Sequence, residues 1–217
     1  MSEAAAPAKG AFSVELVIVI LLGLASVATA YATFQASLWD SAMASEYTRS
    51  QNLTTEAQAL YLEANQQYVQ DAQTYAQLGM LGVDAIGEDP AIAANASAKI
   101  EALALTGIDD VLSAALDWSN STGQYPLDSP DYLAERFGEF QAAQDEAAAH
   151  VVAGDEANAH SDQLTLYTVL LAIALFLLGI AAVVASATIT WGLIGIGSVI
   201  SVVAIVLTML VPFAAVG

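Results

Sequence analysis

Three stretches of this chain are continuously apolar, and between the first two lies a long segment in which apolar residues recur every three or four positions instead. Residues 11–34, AFSVELVIVILLGLASVATAYATF, carry one charge, Glu15, and are long enough as a helix to cross a hydrocarbon core of about 30 Å. Residues 164–184 and 189–213 carry none, and only a small, polar-leaning run around Ser186 and Thr188 separates them. The pattern predicts three transmembrane helices, the last two forming a tight hairpin. Trp39, Tyr167 and Trp191 fall near the expected span ends, where an amphipathic ring sits well at headgroup depth, and read as an interface belt. A cleaved signal peptide, with Lys9 as its basic flank and a site near Ala28 or Ala30, fits less well. The first apolar run is long for one, and helix-forming sequence continues through the cleavage point.

From residue 35 to 78 there is neither glycine nor proline, so the helix of span one is expected to run on to Leu78, with Gly79, Gly82 and Gly87 breaking it. Asp89 followed by Pro90 reads as an N-cap and first helical position, opening a short helix to about Leu105 that Thr106 and Gly107 end. Another short helix is expected over 108–118, and SNSTGQYPLDS, residues 119–129, reads as a loop. Ser129, Pro130 and Asp131 restart a helix that leads back to span two, interrupted only by Gly138 and Gly154. The expected fold is all-α and integral to the membrane. Its three transmembrane helices carry a long antiparallel helical hairpin, residues 35–163, projecting from the bilayer, with short helices at its far end (about 83–129).

The hairpin has a readable seam. Tyr47, Thr54, Tyr61, Tyr68 and Tyr75 recur every seven residues, and Ser50, Ala57, Ala64 and Leu78 lie three positions further on, so rings alternate with small residues. On the returning segment Leu133, Phe137, Phe140, Ala147 and Val151 keep helical spacing and are the expected partner face. The tyrosine stripe reads either as this packing seam or as a surface for a ligand or partner. Small residues within the spans, Ala25, Thr29 and Thr33 in the first and Gly192, Gly195, Gly197 and Ser201 in the third, mark close helix contacts within or between subunits.

Composition sharpens this picture. Of 217 residues 57% are hydrophobic and 12% charged, with a mean hydropathy of +0.58, which excludes both a disordered chain and an ordinary soluble domain. The net charge is −19, and Lys9, Arg49, Lys99 and Arg136 are the only bases, so no cationic stripe exists to neutralise phosphates and nucleic acid is excluded as a partner. Lys9 is the one base flanking span one. It places the tail 1–10 in the cytoplasm and residues 35–163 outside a prokaryotic cytoplasmic membrane. That outer segment holds 21 acids against three bases, a balance that repels anionic lipid, attracts cations and resembles proteins of salt-in halophiles.

The absence of cysteine removes thiolate nucleophiles, disulfides and Cys-ligated metals, and no phosphate-binding, zinc-protease or nucleophile-elbow motif is present. His150 and His160, ten residues apart on one expected helix, point to different faces and read as solvated or capping groups. No enzyme and no cofactor is expected. The acid clusters Glu88 with Asp89, Asp109 with Asp110, and Asp128, Asp131 and Glu135 read as a solvated surface that binds divalent cations weakly at most. Asn52, Asn95 and Asn120 stand in glycosylation sequons within the outer segment. Glu15, the one ionisable residue inside a span, is the candidate intramembrane functional residue.

Two resemblances attach to particular runs. KGAFSVELVIVILLGLA resembles the N-terminus of a type IV prepilin, with Gly10 and Glu15 at the spacing of its cleavage site and glutamate, although two further spans follow here. The runs LLGLASVATAYATFQASLWDS, EANQQYVQDAQTYAQ and EANAHSDQLTLYTVLLAIALFLLGIA are similar to an uncharacterised family of prokaryotic multi-pass membrane proteins. That resemblance implies a first span ending in a Tyr/Phe-Gln-x-x-x-Trp stretch, a long helical ectodomain and a closing transmembrane hairpin, and implies no activity. The expected function is a non-enzymatic structural or accessory protein of the lipid bilayer, a homo-oligomer or part of a larger membrane complex. The alternatives are a subunit of a multimeric cation channel or transporter, and a pilin-like protein processed after Gly10.

Overall fold

A computed structural model describes residues 14–214; the tail 1–10, with Lys9 and Gly10, and the first residues of the expected first span lie outside the described residues. Every regular element described is helical: α1 Val14–Ala85, α2 Pro90–Thr106, α3 Asp110–Thr122, a 3-10 turn Pro126–Asp128, α4 Pro130–Val183 and α5 Ala187–Leu210. Helices α1, α4 and α5 are long and apolar enough to cross a membrane, and the protein is an all-α membrane protein. The chain divides into two compact units, one of residues 1–47 and 151–217, the other of 48–150.

Helix boundaries follow local chemistry. Asp89 caps α2, its carboxylate accepting from the Ala91 N–H at 2.8 Å, and Asp109 caps α3 by accepting from the Leu112 N–H at 2.8 Å. Two expectations need correction. α1 continues through Gly79 and Gly82 to Ala85, because a helical glycine costs only about 1 kcal/mol against alanine. α3 runs on through Ser119–Thr122, which had read as loop. Ser121 and Thr122 hydroxyls bond back to the Trp118 carbonyl at 2.8 Å, and the helix ends where Gly123 adopts a left-handed φ of 71°.

In the unit of residues 1–47 and 151–217, α4 runs antiparallel to α1 and α5 completes the bundle. Buried positions on α5, Thr190, Ile194, Gly197, Ser201, Ala204 and Thr208, alternate steps of four and three, the spacing of a left-handed helical seam. Ala25 and Ala32 on α1 and Leu171, Ala174 and Leu178 on α4 are equally buried, and Ile18, Ala181 and Ile194 form one end of the core. Lipid is as apolar as these side chains, so packing quality rather than water exclusion holds such helices together. Close approach is visible at Gly197, where a Cβ would lie 3.1 Å from Leu178 Cγ. Hydroxyls in α1 are satisfied within the helix: Ser26, Thr29 and Thr33 each donate to the carbonyl four residues back.

Gly154, which had read as an interruption of α4, makes room for an aromatic ring. A Cβ there would lie 2.6 Å from Tyr47 Cε1, and the Tyr47 hydroxyl donates to the neighbouring Asp155 carboxylate at 2.6 Å.

In the unit of residues 48–150, Ser50, Ala57, Ala64 and Asp71 of α1 are buried at seven-residue intervals, Asp71 against Tyr132 of the returning α4, on which Ala143 and Ala147 are buried too. Leu133 and Val151, placed on the partner face by spacing alone, are exposed at 40% and 41%. Ala147 of that face is buried, as is Ala143, and Phe137 and Phe140 are half-buried against the rings of Tyr61 and Tyr68. Leu112, Ala115, Leu127 and Tyr132 form a compact core against which Tyr68 and Ile108 pack.

Gly154→Ala should lower the melting temperature of the detergent-solubilised protein, a loss of about 1–3 kcal/mol from overpacking against Tyr47. Gly138→Ala, where a Cβ meets nothing within 4 Å, should raise it by about 0.5–1 kcal/mol. Thermal unfolding followed by circular dichroism compares the two, and equal effects would contradict this assignment of Gly154.

Candidate functional site

The densest polar arrangement lies in residues 48–150. Asp71 occupies a seam position seven residues after Ala64 and is 5% exposed. Its carboxylate oxygen accepts from the Tyr132 hydroxyl at 2.7 Å and from Arg136 Nη2 at 3.0 Å. The same Arg136 nitrogen donates to Asp109, whose other task is to cap α3. The guanidinium carbon also stands 5.5 Å from the centre of the Tyr132 ring. One cation thus joins α1, α3 and α4.

The electrostatics follow from these contacts. Burial pushes the Asp109 carboxyl up, but the Leu112 N–H and the Arg136 guanidinium outweigh it and hold the group below its ordinary value. Burial, then donation to Asp71, pushes the Tyr132 phenol far up. Burial works against the Arg136 charge, while Asp109 and Asp71 hold it in place. Arg136 is thus a charged strut and Tyr132 a protonated donor at any physiological pH.

A second arrangement lies in residues 1–47 and 151–217. Gln35 and Trp39, one helical turn apart on α1, both grip the chain just after α5. Trp39 Nε1 donates to the Pro212 carbonyl at 3.2 Å, and Gln35 Oε1 accepts from the Ala214 N–H at 3.1 Å. Beside them the Ser161 hydroxyl donates to Asp40 at 2.6 Å, and the His160 ring lies 4.6 Å from that of Trp39. His160 is therefore packed against an aromatic ring, with Nδ1 buried, rather than solvated.

The remaining singled-out residues distribute as follows. Tyr61 contacts Phe137 and Phe140, Tyr68 contacts Tyr132 and Phe137, and Tyr75 meets Tyr125 edge-on at 5.4 Å. Thr54 is exposed and donates to the Ser50 carbonyl, whereas Ala57 and Ala64 are buried and Leu78 is half-buried. Ala25, Gly197 and Ser201 are buried, Thr29 is half-buried, and Thr33, Gly192 and Gly195 are exposed. Glu15 is exposed in the first turn of α1; Trp191 is exposed, and Tyr167 is half-buried. Asn52, Asn95 and Asn120 are exposed on helices. Among the described residues no three His, Asp or Glu side chains converge as a metal site would require.

Spacing alone did not single out Gln35, Asp71, Tyr132 or Arg136. The available signals were an acid at a heptad core position and one of only four bases in an acidic chain. Comparison with protein-family models, curated proteins and solved structures gave no match.

Arg136→Met should destabilise the protein by about 3–5 kcal/mol, because it leaves the buried Asp71 charge without its cation. Unfolding by denaturant measures this, and a loss no larger than that of an exposed substitution would contradict it. The pH dependence has two limbs. Asp109 titrates lower folded than unfolded, so its stabilisation is present above the ordinary carboxylate range and is lost as pH falls through the lowered value. Tyr132 titrates higher when folded, so its stabilisation is complete below the ordinary phenol value near 10 and is lost as pH rises beyond it. Asp109→Asn should flatten the acid limb of melting temperature against pH, and Tyr132→Phe the alkaline limb.

Proposed function

We propose that this is a non-enzymatic structural or accessory membrane protein whose acidic helical unit, residues 48–150, is braced to present a surface for self-assembly or to a partner. The observation that carries this reading is the tie of α1, α3 and α4 through Arg136, Asp71, Tyr132 and Asp109. There the ionisable groups of the best-formed polar cluster serve as internal struts, with the cation bonded to two carboxylates. The apolar spans anchor the unit in the bilayer, with the N-terminus cytoplasmic and the unit outside a prokaryotic cytoplasmic membrane. Membership of the uncharacterised multi-pass family belongs to the same proposal, supported by the Gln35-x-x-x-Trp39 stretch acting as a clamp on the chain after α5.

The buried faces of α1, α4 and α5 favour this reading over a channel. Within the apolar stretches 14–34 and 164–183 and along α5 they consist of Ala, Leu, Ile and Gly with a few hydroxyls, and Glu15 is exposed at one end of α1. The detergent-solubilised particle should have a mass that is a multiple of 22.4 kDa, or should carry a co-purified partner, and proteoliposomes should pass no cations. A cation flux through proteoliposomes that Glu15→Gln abolishes would replace this reading with the multimeric channel. A mature N-terminus at Ala11 would replace it with the pilin-like protein.

A further inference from the structure

Within residues 48–150, α1 carries a second heptad stripe that nothing in the chain covers. Leu62, Val69 and Ala76 recur every seven residues and so share one face of the helix, and all three are exposed, Leu62 at 61% and Val69 at 45%. The buried Ala64 and Asp71 each lie two residues further on, about 200° round the helix, so the stripe is on the side opposite the seam. The polar residues beside it are amides. Gln58, Asn65 and Gln73 are exposed and stand within about 40° of Val69 at 100° per residue. The carboxylates between residues 51 and 83 are Glu56, Glu63 and Asp71, and there is no base. Asp71 is buried, Glu63 lines a cleft with Arg136 and Phe140 of α4, and Glu56 precedes Glu63 by seven residues on the same line. None lies on the stripe. In a chain of net charge −19, a strip of helix about 50 Å long therefore presents no charge, whereas α4 exposes Asp131, Glu135, Glu139, Asp145 and Glu146.

That missing charge decides what covers the stripe. A partner of different sequence can meet an acid with a base, but a second copy of this chain cannot. Copies inserted the same way up in one bilayer run their α1 helices in the same direction, so each residue at the centre of a two-fold contact faces its own counterpart. Carboxylates facing themselves repel. An amide both donates and accepts, so it satisfies its own copy, and Leu, Val and Ala pack against themselves. We infer that two copies of this protein associate through the outer face of α1, parallel and in register, with Leu62, Val69 and Ala76 at the centre and Gln58, Asn65 and Gln73 pairing across the axis. Hydrocarbon is the poorer occupant, because it would strand the amides that alternate with the apolar residues. The apolar area is modest. Anchoring both copies in one bilayer raises their effective concentration and strengthens a contact that would be weak between free helices.

The inference rests on the proposal that residues 48–150 present a surface for self-assembly, and names that surface. The chain has no cysteine, so a single introduced cysteine forms a disulfide only with the same position of another copy. In membranes of the expressing cells treated with a mild oxidant, Val69→Cys should run mainly as a dimer of twice the 22.4 kDa chain mass, and Glu139→Cys, exposed on α4, mainly as the monomer. Val69→Glu, at a position open to water, should leave the helical content unchanged and halve the mass of the detergent-solubilised particle. Equal cross-linking at the two positions, none at either, or a particle mass that Val69→Glu leaves unchanged would overturn the inference. So would a different protein that co-purifies with the wild type and is lost from Val69→Glu, since the face would then belong to that partner. In each of these cases an oligomer held together elsewhere, or a co-purified partner, leaves the broader proposal standing. A wild-type particle of one chain with no partner removes the broader proposal and this inference with it.

Discussion

A carboxylate buried in a helical seam is the constraint on which residues 48–150 depend. Asp71 stands where Ser50, Ala57 and Ala64 place small, uncharged groups, and a lone charge there would be costly. Tyr132 and Arg136 answer it from α4, and Arg136 reaches on to the capping residue of α3. A polar residue at one core position of a heptad seam fixes register, because sliding either helix by a turn strands the charge. In a chain with 23 acids and four bases, committing one base to this position shows where the fold concentrates its electrostatic stabilisation.

The other unit works by a different rule. Its helices meet through Ala25, Ala32, Ala174, Gly197 and Ala204, residues small enough for backbones to approach, and polar groups are satisfied within helices. Tyr47 with Asp155 and Ser161 with Asp40 bond across from α1 to α4, and Gln35 and Trp39 hold the chain after α5 at the point where its helical hydrogen bonds have ended. A clamp of this kind therefore gives the Gln-x-x-x-Trp spacing a physical reason: side chains four apart on a helix face the same way.

Much of this was legible before any coordinates. Continuous apolar runs mark the spans, Asp89 with Pro90 marks the start of α2, and the tyrosine and alanine heptads mark the seam of α1. What was not legible depends on neighbours distant in sequence. Gly79 and Gly82 are helix breakers by composition, yet α1 passes through both to Ala85, the cost of each being small beside that of a proline. Gly154 reads as a weakness until the Tyr47 ring is seen beside it. Leu133 and Val151 have the right spacing and the right chemistry yet are exposed, while Ala147 of the same expected face is buried. Asp71 and Arg136 lie 65 residues apart, and nothing local to either announces the other. The exposed stripe of α1 is invisible to a pattern that treats every apolar residue as interior.

The central claim is that Asp71 and Arg136 act as one unit in bracing three helices. A double-mutant cycle with Asp71→Asn and Arg136→Met, each followed by denaturant unfolding, measures it most directly. The account predicts that the two losses are strongly non-additive, the second substitution costing little once the first is made. Losses that simply add would mean that the two residues stabilise the protein independently, and the account would be wrong.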